Sequence, residues 1–324
     1  MSAAFQLLEI MKNYNSSMAS RAAVACGAVT KHSLMLSGRP TEVLCVGQGL
    51  QEAPQHLVLF IPGNPGVASY YKRTMEHLYS LMGGSHSVWA VSHAGHCVNL
   101  PSLWPGNQHI YNLEEQIQHK ITFLETHIPA GTKLTLVGHS IGCKIILRLL
   151  QHFENHPSIS ITQSYLLFPT IERMKVSPNG VKLWPVLKYL RWFVVMLVCV
   201  VCILPGKILD ALLRLYFGSS TYECCVDATK ELLNPRVVQN MLWMARDELE
   251  KVVDLDVDVL RRHRDKVVLY YGASDAWCPV QYWEGVREQV PGVRAELCDR
   301  GTPHAFVLRY AEPIAEKVAH WMGS

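Results

Sequence analysis

One five-residue string constrains this chain more than any other. Gly138-His139-Ser140-Ile141-Gly142 follows directly on the apolar run 134–137 and leads straight into the amphipathic run 141–153. A G-x-S-x-G string between a strand and a helix is a nucleophile elbow. The chain turns so tightly at the serine that side chains in place of Gly138 and Gly142 would collide with it. The serine hydroxyl is left projecting from the carboxyl end of a strand. Such an elbow needs a sheet around it, and the rest of the chain supplies further strands.

Continuous apolar runs occur at 57–61, 88–92, 134–137, 161–168 and 267–271, with a weaker alternating run at 294–298. Runs of that length without polar alternation suit a parallel sheet covered on both faces. Helical patterns fall between them at 70–82, 112–127, 141–153, 282–289 and 313–321. In the second of these, Leu113, Ile117, Ile121 and Leu124 lie on one face at helix spacing. The alternation predicts an α/β fold with a mostly parallel, doubly wound sheet and right-handed crossovers. The stretch 171–259 breaks the rhythm and reads as a helical insertion in the sheet topology. The expected organisation is an N-terminal extension of uncertain role at 1–31 and one domain over 32–324.

Composition narrows the classes. Of 324 residues 49% are hydrophobic, and 30 Lys plus Arg against 27 Asp plus Glu leave a charge of +3. A disordered chain needs low hydrophobicity and high net charge, and a nucleic-acid binder needs a concentrated basic face. Neither is present in the sequence, so no nucleic-acid partner is expected. The 10 cysteines are scattered, mostly within apolar stretches. This points to a reducing compartment, and Cys199 with Cys202 reads as a core or membrane-facing pair rather than a zinc or redox site. Residues 1–30 lack the basic and apolar regions of a secretory signal. Lys12, Arg21 and several serines hint weakly at a transit peptide, and Asn15-Ser16-Ser17 is a glycosylation sequon by pattern only.

A serine hydroxyl becomes a nucleophile only when a base takes its proton and an acid orients the base. After an elbow of this type the partners follow in the order acid, then histidine. With 15 histidines, position must decide. Asp275 follows the run 267–271, and His304 follows the run 294–298, so both fall on loops at the carboxyl edge of the sheet. Asp254, Asp256 and Asp258 lie in a helical or connecting stretch, and Asp299 is a weaker competitor. The tetrahedral intermediate needs N–H donors. Ile141, just after the serine, supplies one. The loop Pro62-Gly63-Asn64-Pro65-Gly66 supplies the other, and since proline has no N–H only Gly63, Asn64 and Gly66 qualify. Asn64 is the preferred donor. His93 and His96 read as structural or pocket-lining, and no metal or cofactor is expected.

The insertion carries the second signal. Residues 192–204 hold no charge, and as a helix would reach roughly 20 Å, short of a bilayer's roughly 30 Å core. The stretch 207–217 is amphipathic, with Leu209, Leu212, Leu213 and Tyr216 on one face. The segment at about 183–217 therefore reads as a helical hairpin or interfacial anchor in one leaflet, with Lys182, Lys188, Arg191 and Lys207 near the headgroups. A hydrophobic lid packed on the protein is the other reading, and the two overlap.

Several strings together resemble the lipid droplet-associated hydrolase family within the α/β-hydrolases. They are Ile61-Pro62-Gly63-Asn64-Pro65-Gly66, Val91-Ser92-His93-Ala94-Gly95-His96, the elbow at 138–142, Leu166-Leu167-Phe168-Pro169-Thr170-Ile171-Glu172-Arg173-Met174, Ser177-Pro178-Asn179-Gly180, Trp277-Cys278-Pro279 and Pro303-His304-Ala305-Phe306. The likeness runs from about His32 to the C-terminus. It implies a serine lipid hydrolase on lipid droplets and the cytosolic face of the endoplasmic reticulum, acting on esters such as cholesterol esters and contributing to cholesterol and triglyceride homeostasis. The resemblance carries the catalytic roles onto Ser140, Asp275 and His304. Two rivals remain: a non-enzymatic droplet protein on a hydrolase scaffold, and an acyltransferase or thioesterase using the same residues.

Overall fold

The computed structural model describes residues 27–97, 109–298 and 300–323. The sequon, Cys26, Asp299 and most of the expected extension lie outside those residues. Eight strands form one sheet: β1 (Thr30–Leu36), β2 (Arg39–Val46), β3 (His56–Ile61), β4 (Ser87–Val91), β5 (Lys133–His139), β6 (Ser160–Leu167), β7 (Val267–Gly272) and β8 (Arg294–Cys298). Their order is β1-β2-β4-β3-β5-β6-β7-β8. β1 and β2 are antiparallel to each other, β2 is antiparallel to β4, and every other pairing is parallel.

The six expected strands correspond to β3 through β8. The β1–β2 hairpin was not anticipated. β1 is an edge strand with mostly exposed residues, so its pattern is mixed. Its turn is made by Ser37 and Gly38, both at positive φ, which suits a tight hairpin. The sheet therefore starts at Thr30, slightly before the expected boundary at 32. In contrast, β3, β4 and β7 are buried almost end to end, as strands covered on both faces must be.

The helices between β3 and β6 are α1 (Lys72–Leu81), α2 (Leu113–His127) and α3 (Ile141–His152). Asn112 caps α2 and forms a reciprocal capping box with Glu115, which satisfies two end N–H groups and fixes where the helix starts. Between β6 and β7 come α4 (Pro178–Pro185), α5 (Arg191–Val201), α6 (Gly206–Phe217), α7 (Glu223–Leu232), α8 (Pro235–Lys251) and α9 (Val257–Arg262). α10 (Val280–Gln289) follows β7, and α11 (Ala311–Gly323) ends the described chain. α1 packs with α11 and α2 with α3, giving two helical layers with the sheet between.

The apolar insertion differs from expectation in one respect. α4, a π-helical turn at Val186–Leu190 and α5 run on as one helix, Pro178–Val201, of 24 residues. At a rise of about 1.5 Å per residue this is roughly 36 Å, so by length and composition it is long enough to cross a bilayer. The chain starts this helix early because Ser177 caps it and Pro178 occupies its first turn. Lys182, Lys188 and Arg191 interrupt its apolar pattern and hid its full length. Only part of it meets the body of the protein: Leu187 and Val195 are buried, and Arg191 stacks on Trp243 of α8 at 3.8 Å. Phe193, Met196 and Val200 are 57%, 65% and 63% exposed, and in α6 Leu215 and Tyr216 exceed 80%. Cys199 and Cys202 on this segment are free thiols.

Candidate active site

The strand order reverses at β3: the chain passes from β3 out to β4, then back across to β5. A crevice opens at the carboxyl ends there. Parallel register sets Ile61 beside Gly138, so the loop after β3 leaves the sheet next to the elbow after β5.

Ser140 sits between β5 and α3 with φ +54°, a left-handed conformation costly for a side chain. Its surroundings hold it there. Its N–H donates to Leu167 O at 3.0 Å, and its carbonyl accepts from Cys143 N–H at 3.0 Å. A Cβ at Gly142 would stand 2.1 Å from Ile61 O, and one at Gly138 would meet Ile146 at 2.7 Å. The two glycines are thus required by the packing of β3 and α3 against the turn. A Cβ at Gly63 would come within 2.9 Å of the Ser140 Cβ, so the facing loop also approaches as closely as backbone can.

The structure brings Ser140, His304 and Asp275 together. Ser140 Oγ lies 2.9 Å from His304 Nε2, and His304 Nδ1 lies 2.6 Å from Asp275 Oδ2. A carboxylate only accepts, so Nδ1 carries the proton and Nε2 is free to accept from the serine. Asp275 is held by more than the histidine: its Oδ1 accepts from Trp277 N–H at 2.7 Å, and its Oδ2 accepts the Cys278 thiol at 3.1 Å. Burial alone would raise this carboxyl. The bond and charge of His304, with the Trp277 and Cys278 donors, outweigh it and hold it below the ordinary value. Asp275, Cys278 and His304 are close enough together to suggest a cation site. Burial, however, pushes the Cys278 thiol well up, so it is a neutral donor here rather than a thiolate ligand.

The rival acids stand elsewhere. Asp256 pairs with Lys144 at 2.8 Å, and the Asp258 side chain is 88% exposed. Asp254 lies in the α8–α9 connection, its carbonyl accepting from Lys144.

In the loop after β3, Gly63 N–H donates to Tyr71 Oη at 2.9 Å, and Gly66 N–H closes the turn onto Gly63 O at 2.6 Å. With two prolines, this leaves Asn64 as the remaining backbone donor. Ile141 N–H is at the first turn of α3, where no intrahelical acceptor exists. His93 and His96 pack beneath the loop: His93 N–H donates to Gly66 O at 2.8 Å, and burial lowers the His96 imidazole to about 4.

Several neighbours carried no sequence signal. Thr170 Oγ1 is 3.4 Å from Ser140 Oγ. His139, inside the elbow, is buried below His304 and bonds to its carbonyl through Nε2 at 2.9 Å. Asn64 Nδ2 donates to Met241 O and to Glu248 Oε1 on α8, each at 3.0 Å. His139, Thr170 and Asn64 lie in strings already quoted, though none of these three contacts was expected there; Met241 and Glu248 come from α8, far away along the chain.

A cavity of about 380 Å³ opens beside His304 and the loop after β3, lined by Asn64, Tyr70, Phe217, Leu232, Trp277 and Leu308 among others. Its walls are largely apolar, and Tyr216 and Phe217 at the end of α6 form part of its rim. A slightly larger cavity of about 430 Å³, lined by Tyr270, Arg300, Lys317 and His320, includes none of Ser140, Asp275 and His304. The arrangement sets a hydroxyl, an imidazole and a carboxylate in line beside an apolar cavity.

The family model described as lipid-droplet associated hydrolase matches residues 54–307. A lipid droplet-associated hydrolase of Rattus norvegicus is 34% identical over 92% of this chain and 93% of its own. One of Gallus gallus is 33% identical over 92% of each. Among solved structures, a haloalkane dehalogenase of Agrobacterium tumefaciens superposes with a TM-score of 0.64 at 15% identity, over 93% of this chain and 98% of that one; at that identity it speaks for the α/β-hydrolase fold alone.

Proposed function

The chain belongs to the lipid-droplet-associated hydrolase family, and from that premise we propose that it is a serine hydrolase cleaving carboxylic esters of lipids at a droplet surface. The observation that carries the reading is the unbroken relay from Ser140 through His304 to Asp275, at 2.9 and 2.6 Å.

In this reading Ser140 Oγ attacks the ester carbonyl while His304 Nε2 takes the hydroxyl proton. Asp275 holds the Nδ1 proton and stabilises the imidazolium. The carbonyl oxygen becomes an oxyanion, received by the N–H groups of Asn64 and Ile141. His304 then gives its proton to the departing alcohol, leaving an acyl-serine. Water, deprotonated by the same nitrogen, releases the acid and restores the hydroxyl. No step calls for a metal or cofactor. The apolar walls suit an acyl chain, and the family resemblance adds cholesterol esters as the alcohol side to test first.

The exposed apolar face of α5 and α6 supports docking on a lipid monolayer or on the cytosolic face of the endoplasmic reticulum. Because α6 also lends Tyr216 and Phe217 to the cavity rim, a surface held by this face would present substrate at the mouth of the site. The insertion at about 171–259, with its anchor at about 183–217, is one lobe of the domain beginning near residue 32 in this reading.

A fluorophosphonate probe tests the chemistry. Labelling of the folded protein that is lost in Ser140→Ala is expected. Absence of labelling in wild type favours the non-enzymatic scaffold. Ester transfer to an added alcohol in excess of hydrolysis favours an acyltransferase instead.

A further inference from the structure

We propose that Glu248 is a positioning residue of this hydrolytic centre, fixing Asn64 from behind so that the backbone N–H of residue 64 stays aimed at the oxyanion. The proposal rests on the serine-hydrolase reading above.

The loop after β3 is anchored on either side of residue 64, His96 Nδ1 meeting Pro65 O and His93 N–H donating to Gly66 O. Pro62 and Pro65 carry no N–H, and the N–H groups of Gly63 and Gly66 are engaged with Tyr71 and Gly63. The aim of the Asn64 N–H therefore depends on what fixes the rest of that residue. Its side chain is the fixing point: Nδ2 reaches the Met241 carbonyl and the Glu248 carboxyl, both at 3.0 Å. Met241 and Glu248 lie seven positions apart on α8, two turns along one face. Together they grip the amide.

Packing alone does not account for a carboxyl at this place. Glu248 is 3% exposed, and no cation pairs with it among the described residues. Burial, with the neighbouring Asp247 charge adding to it, raises its carboxyl to about 8 against the opposing bond from Asn64. Burying such a group is unfavourable unless a hydrogen bond offsets it. An apolar side chain would fill the space at less cost. What an apolar side chain would not do is accept the Asn64 amide.

The same helix also bears the lipid-facing segment. Trp243, between the two gripping residues in sequence, meets Trp192 of α5 edge to face at 5.1 Å and lies under Arg191. The grip on the oxyanion loop is thus built on the helix against which the exposed apolar helix rests.

The test uses the full chain and a soluble short-chain nitrophenyl ester, so that droplet binding is not read. Misplacement of about 1 Å in a catalytic array costs up to about a hundredfold in rate. Glu248→Ala should lower kcat about tenfold to a hundredfold with KM within about twofold. Glu248→Gln keeps the acceptor and should recover most of that loss. Asn64→Ala keeps the backbone N–H but loses the grip; it should fall as far as Glu248→Ala, and the double variant no further. A wild-type kcat in Glu248→Ala, no recovery in Glu248→Gln, or additive losses in the double variant would each overturn the proposal. Should Glu248→Ala not fold, Asn64→Ala decides: an unchanged kcat overturns it. Failure of the underlying reading looks different, since wild type would then take no fluorophosphonate label at Ser140, and both claims would go.

Discussion

The hydroxyl of Tyr71 donates to His139 Nδ1 at 2.7 Å, and the direction of that bond is set from both ends. His139 Nε2 faces the carbonyl of His304, so it must carry the ring's one proton, leaving Nδ1 to accept. The imidazole stays neutral because burial, and then the nearby His304, lower it to about 3. Tyr71 in turn accepts the N–H of Gly63. A single chain of bonds therefore links the loop after β3 to the backbone of the histidine that faces Ser140.

Tyr71→Phe removes the middle of that chain. Gly63 N–H and His139 Nδ1 are then buried without partners, each costing about 1–3 kcal/mol. Chemical denaturation should show a loss of about 2 kcal/mol or more, with kcat on a soluble ester reduced as well. An unchanged midpoint together with wild-type kcat would show that the chain is dispensable.

The elbow makes a sharper demand. Gly142→Ala would bring a Cβ to 2.1 Å from Ile61 O, a backbone atom that cannot step aside. Gly206, at the start of α6, has nothing within 4 Å of its corresponding position. The first substitution should cost at least about 3 kcal/mol or prevent folding, and the second should stay within about 0.5 kcal/mol. Thermal melts of the two variants make the comparison, and similar melting temperatures would contradict the geometry.

These two glycines also show why some of the site was legible and some was not. The elbow joins a turn that only certain residues tolerate to a strand and a helix recognisable by period, so Ser140 stood out. Asp275 and His304 were found because each follows an apolar run into a loop. Proline's missing N–H narrowed the loop's donors to Gly63, Asn64 and Gly66, among which Asn64 was preferred. Tyr71 and Glu248 belong to helices whose faces look like any other packed face, and their meaning arises only when β3 and α8 converge. The β1–β2 hairpin was missed because an edge strand has no uniform burial to stamp a pattern on it. The length of the helix Pro178–Val201 was missed because Lys182, Lys188 and Arg191 broke its apolar run.

Stability should depend on pH through Glu248. Its carboxyl is raised in the fold to about 8, first by burial and then by Asp247, against an ordinary value of 4.5. Between those values the folded chain binds the proton more tightly than the unfolded chain. The stabilisation is complete below about pH 4.5 and is lost as pH rises towards about 8, by about 1.4 kcal/mol per pH unit at most. Urea midpoints from pH 5 to 8 should fall more steeply for wild type than for Glu248→Gln. Parallel slopes would mean that the carboxyl titrates normally.

The apolar face should govern partition onto lipid. Phe193, Met196 and Val200 are more than half exposed and share one side of α5. Taking each as about 1 kcal/mol of burial on docking, replacing all three by serine removes about 3 kcal/mol, or roughly a hundredfold in binding. Flotation with phospholipid-coated triolein droplets measures this, while kcat on a soluble ester should not change. Retention of the triple variant on droplets would place the contact elsewhere.

The π-helical turn at Val186–Leu190 acts as a phase adjuster. One residue of helix corresponds to a rotation of about 100°. The residues of this turn set the azimuth at which Trp192, Phe193 and Met196 leave the body, while Leu187 and Val195 still point into it. Deleting one of them would leave composition and length almost untouched, yet swing the greasy stripe round the axis. Insertions and deletions here would thus alter which way the molecule faces a surface without touching a single group of its chemistry.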